Sequence, residues 1–174
     1  MKIEYESSIE DDVAAQMKLL ELTGQLRKEK YTALLIGVPL FALILYLIIP
    51  LPPIERLSLV TPFAFLLALL HLTRFKQKRE KGIRKRLIKY FGVYEPITCE
   101  YEMNDEGIRF RRLGTTIIFS WNKVCKIEDS VEYLSFIVEP PGISMIPKRI
   151  FKSLGEQEQW KSFAENKLNK TVQQ

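Results

Sequence analysis

The sequence contains few of the residues from which catalytic and metal sites are built. Its 174 residues include two cysteines, Cys99 and Cys125, and one histidine, His71. Two cysteines are too few for a disulfide framework and lack the paired spacing of a zinc site, so we expect both to be small core residues. No GxSxG, GxGxxG, GxxxxGK[ST] or HExxH motif occurs. The sequence therefore predicts neither an enzyme nor a cofactor or metal site.

Charge is absent from two long stretches. Residues 31–54 contain no Asp, Glu, Lys, Arg or His, and residues 57–73 contain only His71. A membrane-spanning helix needs about 20 mostly apolar residues. Pro50, Pro52 and Pro53 should end the first helix. Residues 31–75 are therefore predicted to form a two-span transmembrane hairpin.

Two other interpretations of these stretches are weaker. Two buried helices of a soluble core would nearly always show a polar face, and neither stretch has one. A cleaved signal peptide has an apolar region of about 7–15 residues, whereas the first stretch is longer and begins thirty residues into the chain. His71, near the end of the second stretch, is a functional candidate as an intramembrane ionisable group, although a position at the membrane interface explains it more simply.

The positive charge is concentrated in residues 74–89, which hold nine basic residues and one acidic residue. These basic residues are Arg74, Lys76, Lys78, Arg79, Lys81, Arg84, Lys85, Arg86 and Lys89. The excess of cations beside the hairpin predicts a cell-membrane protein with both termini in the cytoplasm. We expect these residues to lie at the membrane surface near anionic headgroups. Nucleic acid is a weaker alternative, because no base-stacking aromatic except Phe75 is interleaved.

The segments on either side of the hairpin have regular patterns. Residues 1–30 are predicted to hold a short strand over residues 2–7 and an amphipathic helix over residues 9–25, with Ser8 and Asp11 as a capping box. Apolar residues at helical spacing predict that the second span continues through residues 76–91 as a basic juxtamembrane stalk, although Gly82 weakens this helix.

In residues 92–174 the spacing of apolar residues changes from a helical period to a period of two. Turn residues separate six short apolar runs, over residues 97–103, 108–112, 115–120, 124–128, 133–138 and 143–146. An amphipathic helix over residues 153–169 follows, with Trp160, Phe163, Ala164 and Leu168 on one face. This layout predicts an α+β cytoplasmic domain: an antiparallel, pleckstrin-homology-like (PH-like) barrel or sheet capped by the last helix. Residues 3–6 are predicted to pair with this sheet as its seventh strand.

This order of elements resembles the YcxB-like family of bacterial membrane proteins. The resemblance is carried by the hairpin, the basic stalk and the segments DEGIRF, TIIFSWNKVCKI and ISMIPKRIF. Its most specific part is Trp121 followed by Pro147, Lys148, Arg149 and Phe151. It covers nearly the whole chain and implies a PH-like C-terminal domain, without implying a catalytic residue.

Five residues are candidates for contact with a partner. Lys148 and Arg149 follow a proline and are two adjacent cations that could bind a phosphate or carboxylate. The alternative is that they belong to a turn whose charges are solvated. Trp121 is a candidate for stacking on a ligand, although a core plug between sheet and helix is favoured. Arg109 and Arg111 share one face of a strand and would suit an anionic headgroup or an acidic partner.

These observations predict a membrane-anchored binding or scaffold module rather than an enzyme. It would recruit a protein partner or sense anionic lipid through its PH-like domain, and nucleic acid is not expected. The alternative is a small subunit of an oligomeric transporter or channel, for which Pro39 and Pro62 would kink the spans. Oligomerisation remains open, and the residues do not identify the partner.

Overall fold

The computed structural model describes residues 1–91 and 96–172. In chain order the elements are β1 (Lys2–Ser7), α1 (Ile9–Leu22), α2 (Gln25–Thr32), a π-helical turn (Ala33–Gly37), α3 (Val38–Ile48), α4 (Pro53–Phe91), β2 (Ile97–Met103), β3 (Gly107–Arg112), β4 (Thr115–Ser120), a 3₁₀ turn (Trp121–Lys123), β5 (Val124–Asp129), β6 (Tyr133–Val138), β7 (Gly142–Pro147), a 3₁₀ turn (Lys148–Ile150) and α5 (Leu154–Val172). They form two compact units. The strand unit comprises Met1–Leu19 and Leu87–Gln174, and the helical unit comprises Leu20–Arg86.

The strand unit contains two antiparallel sheets. The first has the strand order β1-β2-β3-β4, and the second has the order β5-β6-β7. In the first sheet β1 pairs with β2, with Ile3 opposite Tyr101 and Tyr5 opposite Cys99. The prediction that residues 3–6 join the C-terminal sheet is therefore confirmed.

The six C-terminal strands lie where the period of two predicted them. Their turns also form as the residue types require: Asn104 Oδ1 accepts hydrogen bonds from the backbone N–H groups of Glu106 at 3.0 Å and Gly107 at 3.1 Å. The predicted antiparallel barrel or sheet is divided, however, because the 3₁₀ turn Trp121–Lys123 separates β4 from β5. Among the described residues the strands pair as two sheets, and no closed barrel of hydrogen bonds forms.

The core of the strand unit lies between the inner faces of the sheets and α5. Its buried members include Met103, Phe136 and Ile146, and Phe163 and Leu168 of α5 pack against it. In α5, Trp160 and Ala164 are themselves buried. The predicted apolar face therefore covers the core, as a capping helix should.

The ends of α1 and α5 follow local capping rules. Ser153 Oγ accepts a hydrogen bond from the Glu156 N–H at 3.1 Å, and Glu156 Oε2 accepts one from the Lys152 N–H at 2.7 Å. This arrangement is a variant of the capping box in which the glutamate bonds the residue before the N-cap. At α1, Asp11 Oδ2 accepts a hydrogen bond from the Ser8 N–H at 2.8 Å. The predicted end of this helix at residue 25 is too late. Gly24 adopts a left-handed conformation with φ of 68° and ends the helical path at Leu22.

The helical unit is a hairpin of two long helical segments. Residues 25–48 run continuously through α2, the π-helical turn and α3, and α4 has 39 residues. At the open end of the hairpin, Arg79 Nη2 lies 2.9 Å from Glu29 Oε1. At the closed end, Arg56 Nε donates a hydrogen bond at 2.9 Å to the Leu51 carbonyl oxygen. Contacts at both ends show that the two segments are antiparallel.

Prolines shape the hairpin. The first helix ends at Ile48, before Pro50, and the second begins at Pro53. The turn therefore consists of residues 49–52, and the charged residues Glu55 and Arg56 lie in the first turn of α4. Pro39 lies in the first turn of α3, directly after the π-helical turn Ala33–Gly37. A proline removes a backbone donor and displaces the preceding carbonyl, which accounts for this widened turn. Pro62 lies within the continuous helix α4.

Both segments are long and apolar enough to cross a membrane. Their apolar side chains are largely exposed in the isolated chain, including Leu35, Leu47 and Phe65 at 71%, 68% and 71%. A core helix of a soluble protein buries such residues. The exposure therefore favours lipid contact over a soluble core.

The second helix continues into the basic stalk without a break, as predicted, since α4 extends to Phe91. Ile83 and Leu87, two members of the predicted apolar stripe, are buried, whereas Tyr90 is 86% exposed. Of the nine stalk cations only Arg79 is partly buried, and the other eight are exposed. The stalk therefore presents a strongly basic surface.

Candidate functional site

Arg149 is engaged within the strand unit. Its Nη1 donates a hydrogen bond to Asp11 Oδ1 at 2.7 Å, and its Nη2 donates to Asp11 Oδ2. The Tyr133 hydroxyl donates to Asp11 Oδ1 at 3.1 Å. The guanidinium is half exposed, at 51%, but the carboxylate is 7% exposed. This pair joins the first turn of α1 to the 3₁₀ turn that follows β7.

The charge on Asp11 is stabilised by this arrangement. Burial opposes ionisation of the carboxyl, but the bonds from Arg149 and Ser8 outweigh it, so the pKa of Asp11 lies below its ordinary value of 3.8. Burial, together with the adjacent carboxylate, raises the pKa of Tyr133 to about 12. Tyr133 therefore remains a neutral hydrogen-bond donor at physiological pH.

Lys148 is engaged by a second carboxylate. Its Nζ forms an ion pair with Asp129, and Lys161 Nζ of α5 lies 3.1 Å from the other oxygen of the same carboxylate. The hydrogen bond from Lys148, with that from Lys161, lowers the pKa of Asp129. Lys148 is 18% exposed. Both cations of the predicted pair thus connect elements of their own unit, and their contact with a partner stays a prediction.

Trp121 lies in the core, at 5% exposure. Its Nε1–H donates a hydrogen bond to the Asn104 carbonyl oxygen at 2.9 Å, and its ring meets Phe163 edge-on with ring centroids 6.2 Å apart. This position between the sheets and α5 is that of a core plug.

Arg109 and Arg111 lie on one face of β3, as predicted, and each has an acidic neighbour on β2. Arg109 Nη1 lies 3.1 Å from Glu102 Oε2, and Arg111 Nη1 lies 3.7 Å from Glu100 Oε1. Cross-strand pairing of opposite charges explains this face without a ligand. Arg111 remains 53% exposed.

A cavity of about 150 Å³ lies in the strand unit. Its walls include Tyr5, Tyr101, Phe110 and Ser144. The Tyr101 hydroxyl donates to the Met145 carbonyl oxygen at 2.9 Å and accepts from Ser144 Oγ at 3.0 Å, so these polar groups are satisfied within the protein. Small-molecule sites usually measure about 300–1,000 Å³, and this cavity is smaller.

A larger cavity of about 330 Å³ lies in the helical unit, where charged residues give way to the uncharged stretches. We call it the hairpin cavity. It is lined by Glu21, Leu26, Arg27, Lys30, Tyr31, Leu72, Phe75 and Lys76. Three of these side chains are basic and one is acidic, so the lining carries an excess of positive charge. Sequence reasoning assigned Lys76 to the membrane surface but did not join it to Arg27 and Lys30.

Within residues 1–91 and 96–172, no group of three or more His, Cys, Asp or Glu side chains is placed to hold a metal ion. His71 Nε2 is buried without a hydrogen-bond partner in this part of the chain, and its ring lies 5.3 Å from that of Phe75. Cys99 is buried, as expected, but Cys125 is exposed on β5 rather than in the core.

No family model, curated protein or solved structure matches this chain. The resemblance to the YcxB-like family therefore stays a prediction that rests on the motifs alone.

Sequence reasoning missed the long-range ion pairs. It assigned Asp11 to a helix cap. Arg112 in fact forms a two-bond pair with Asp12, at 2.6 and 2.7 Å, and Arg149 pairs with Asp11. The partners are separated by 100 and 138 residues, and nothing in the local pattern signals such a contact.

Proposed function

We propose that this chain is a membrane-anchored binding module, in which the hairpin holds the strand unit at the cytoplasmic face of a cell membrane. The module recruits a protein partner or senses anionic lipid, and catalysis is not part of the proposal. The strand order, with two antiparallel sheets and a C-terminal helix, supports a PH-like architecture for the strand unit.

The pairing of β1 with β2 carries this proposal. β1 precedes the hairpin and β2 follows it, yet the two strands are joined over six residue pairs. A sheet cannot be divided by a bilayer, because its backbone groups must pair on one side. If the two apolar segments cross the membrane, the strand unit therefore lies wholly on one side. This is the side on which the first segment begins and the second segment ends.

Charge supports the cytoplasmic side. Arg27, Lys28 and Lys30 precede the first apolar stretch and nine cations follow the second, whereas Arg56 is the one basic residue between the two stretches. Arg56 also has a structural role there, since it donates to the carbonyl oxygens of Tyr46 and Leu51 and lies 5.1 Å from the Tyr46 ring. The strong bias at the open end is typical of a cytoplasmic position.

Photo-crosslinking in the full-length protein tests the binding role. A photoreactive residue is placed at Ile118, which is 54% exposed on β4 at the edge of the first sheet. An exposed strand edge can pair with a partner. Val131, which is 94% exposed outside the strands, provides the control position. A third position is Lys78 on the stalk.

A saturable protein adduct at Ile118 that is absent at Val131 supports protein recruitment. Lipid adducts at Lys78, without a protein adduct elsewhere, support lipid sensing. Equal, unsaturable labelling at all three positions would show only random collision and would contradict a binding role.

A further inference from the structure

We propose that the hairpin cavity binds the phosphate group of one anionic glycerophospholipid, held between the two antiparallel segments at the cytoplasmic end of the hairpin. This inference rests on the proposed membrane insertion and names the lipid site within it. It concerns a defined site, in contrast to the general attraction of a basic stalk for a charged surface.

The position of the cavity relative to the apolar stretches is the first argument. Arg27 and Lys30 directly precede the uncharged residues 31–54, and Lys76 follows residues 57–73 by three positions. These three cations line one cavity. In an inserted hairpin the change from charged to apolar residues lies at the headgroup level, so the cavity lies where lipid phosphates are found.

The lining has the two-part chemistry of a phospholipid. Arg27, Lys30 and Lys76 provide cationic donors, while Leu72 and Phe75 provide apolar surface for the upper part of an acyl chain. Tyr31 is an aromatic residue at the expected interface, and the Arg27 guanidinium lies 5.8 Å from its ring centroid. Basic cavities between membrane helices are a recurring form of lipid headgroup site.

The cations of the cavity are available to a ligand. Within the described part of the chain, no carboxylate lies within ion-pairing distance of Arg27 or Lys30. Lys76 has a loose pair with Glu21, at 3.6 Å, and both side chains are well exposed. An exposed pair of this kind is worth little, so a phosphate can replace the carboxylate. By contrast, Arg79 is held by Glu29 at 2.9 Å.

The size of the cavity fits a headgroup. Its volume of about 330 Å³ lies within the range of small-molecule sites. The cavity in the strand unit is less than half as large and its described hydrogen bonds are internal. A cavity of about 670 Å³ elsewhere in the helical unit is larger, but its lining holds one cation, Lys28, and one carboxylate, Glu29. The hairpin cavity, whose lining has an excess of positive charge, is therefore the better candidate for an anionic ligand.

The test compares two triple variants of the full-length protein with equal loss of charge. The cavity variant carries Arg27→Gln, Lys30→Gln and Lys76→Gln. The control variant carries Lys28→Gln, Lys78→Gln and Lys81→Gln, which removes three exposed cations that do not line the cavity. Each protein is placed in phosphatidylcholine nanodiscs with a small fraction of spin-labelled phosphatidylglycerol, and the affinity for the labelled lipid is measured.

We expect the cavity variant to lose affinity by roughly tenfold or more, because charge-assisted hydrogen bonds to phosphate are lost, while the control variant loses about threefold or less. Equal losses would show attraction to the whole basic surface and would overturn the site, as would unchanged affinity in both variants. Far-ultraviolet circular dichroism, whose signal includes the long helices of the hairpin, checks that the variants remain folded. Lys30→Gln alone, which removes one partly buried cation, provides a milder change with the same expected direction.

Two further arms separate the alternatives. Competition by inorganic phosphate or glycerophosphate at concentrations that leave bulk ionic strength unchanged would show a free-anion site and overturn the lipid assignment. Carbonate extraction of the unmodified protein from membranes tests insertion itself. A protein that resists extraction but shows no difference between the variants refutes this inference and leaves the proposed function standing.

Discussion

Asp11, in the first turn of α1, connects the N-terminal part of the strand unit to its C-terminal strands. Its carboxylate accepts hydrogen bonds from Ser8, Tyr133 and Arg149, which belong to three separate parts of the strand unit. A nearly buried carboxylate with this many donors is stable only while they are present, because an unpaired buried charge is costly. The predicted helix cap at Asp11 is correct but describes only part of its environment.

Replacing Arg149 should therefore destabilise the strand unit. We expect Arg149→Ala to lower the free energy of unfolding by about 1–2 kcal/mol, a moderate value because the guanidinium is half exposed. The measurement is a urea titration of the full-length protein in detergent, followed by tryptophan fluorescence. Trp121 and Trp160 are both buried in the strand unit, so the signal reports that unit.

Arg111→Ala is the matched control, because Arg111 is 53% exposed and its partner Glu100 lies 3.7 Å away. Its effect should stay within about 0.5 kcal/mol. Equal losses in the two variants would contradict a special role for the pair between Asp11 and Arg149.

The free energy of unfolding of the strand unit should also decrease at acidic pH. The pKa values of Asp11 and Asp129 are lowered in the folded state, so their contribution is fully present above the ordinary value of 3.8 and is lost as the pH falls through the lower folded values. The urea midpoint should fall below about pH 4. Asp11→Asn should reduce this dependence, and stability that increases on acidification would contradict the assignment.

At the scale of elements, the two-residue turn between β3 and β4 contains a backbone conformation that its sequence does not favour. Leu113 has φ of 49° and Gly114 has φ of 76°, the left-handed pair of a two-residue turn. Glycine adopts this conformation freely, whereas leucine does so at a cost of about 1 kcal/mol. Leu113 is also 67% exposed, so packing does not compensate.

Leu113→Asn should therefore stabilise the strand unit, by about 0.5–1 kcal/mol, because asparagine accepts the left-handed conformation. The same urea titration measures this gain. Val131→Asn, at a more exposed apolar position without positive φ, should change stability little. Gly114→Ala should lose stability. A neutral or destabilising Leu113→Asn would mean that the turn is not strained.

The strands were predictable because the residues that specify them are close together in the sequence. The strand patterns and turn residues lie within a few positions of one another, and the predicted strands agree with β2 to β7 to within one residue at each end. The division into two sheets was not predicted, because it depends on how Trp121 enters the core after β4. Its neighbours there, Asn104 and Phe163, are distant in sequence.

For the whole molecule, the helical unit is an insertion within the strand unit. Met1–Leu19 and Leu87–Gln174 form one compact unit, with the hairpin between them in sequence. A fragment that begins near residue 90 would lack β1 and α1, and would leave β2 as an exposed edge. Binding experiments are therefore best made with the full chain.

The hairpin was predictable because the absence of charge over two long stretches is a strong pattern. The hairpin cavity was not predictable, because its basic residues come from two segments, and Lys30 and Lys76 are 46 positions apart in the sequence. Only the antiparallel packing of the helices brings them to one cavity. The ion pairs of Asp11 and Asp12 were not predictable for the same reason, because their partners Arg149 and Arg112 are distant in sequence.

The membrane topology is the central claim, and a pair of reporters tests it most directly. A reporter whose activity depends on the side of the membrane is inserted after Pro52 in the turn, and the same reporter is fused after Gln174 in a second protein. We predict opposite results, with the turn outside and the C-terminus in the cytoplasm, and retention of both proteins in the membrane after a carbonate wash. Reporters that give the same side, or release of the protein by carbonate, would contradict the account.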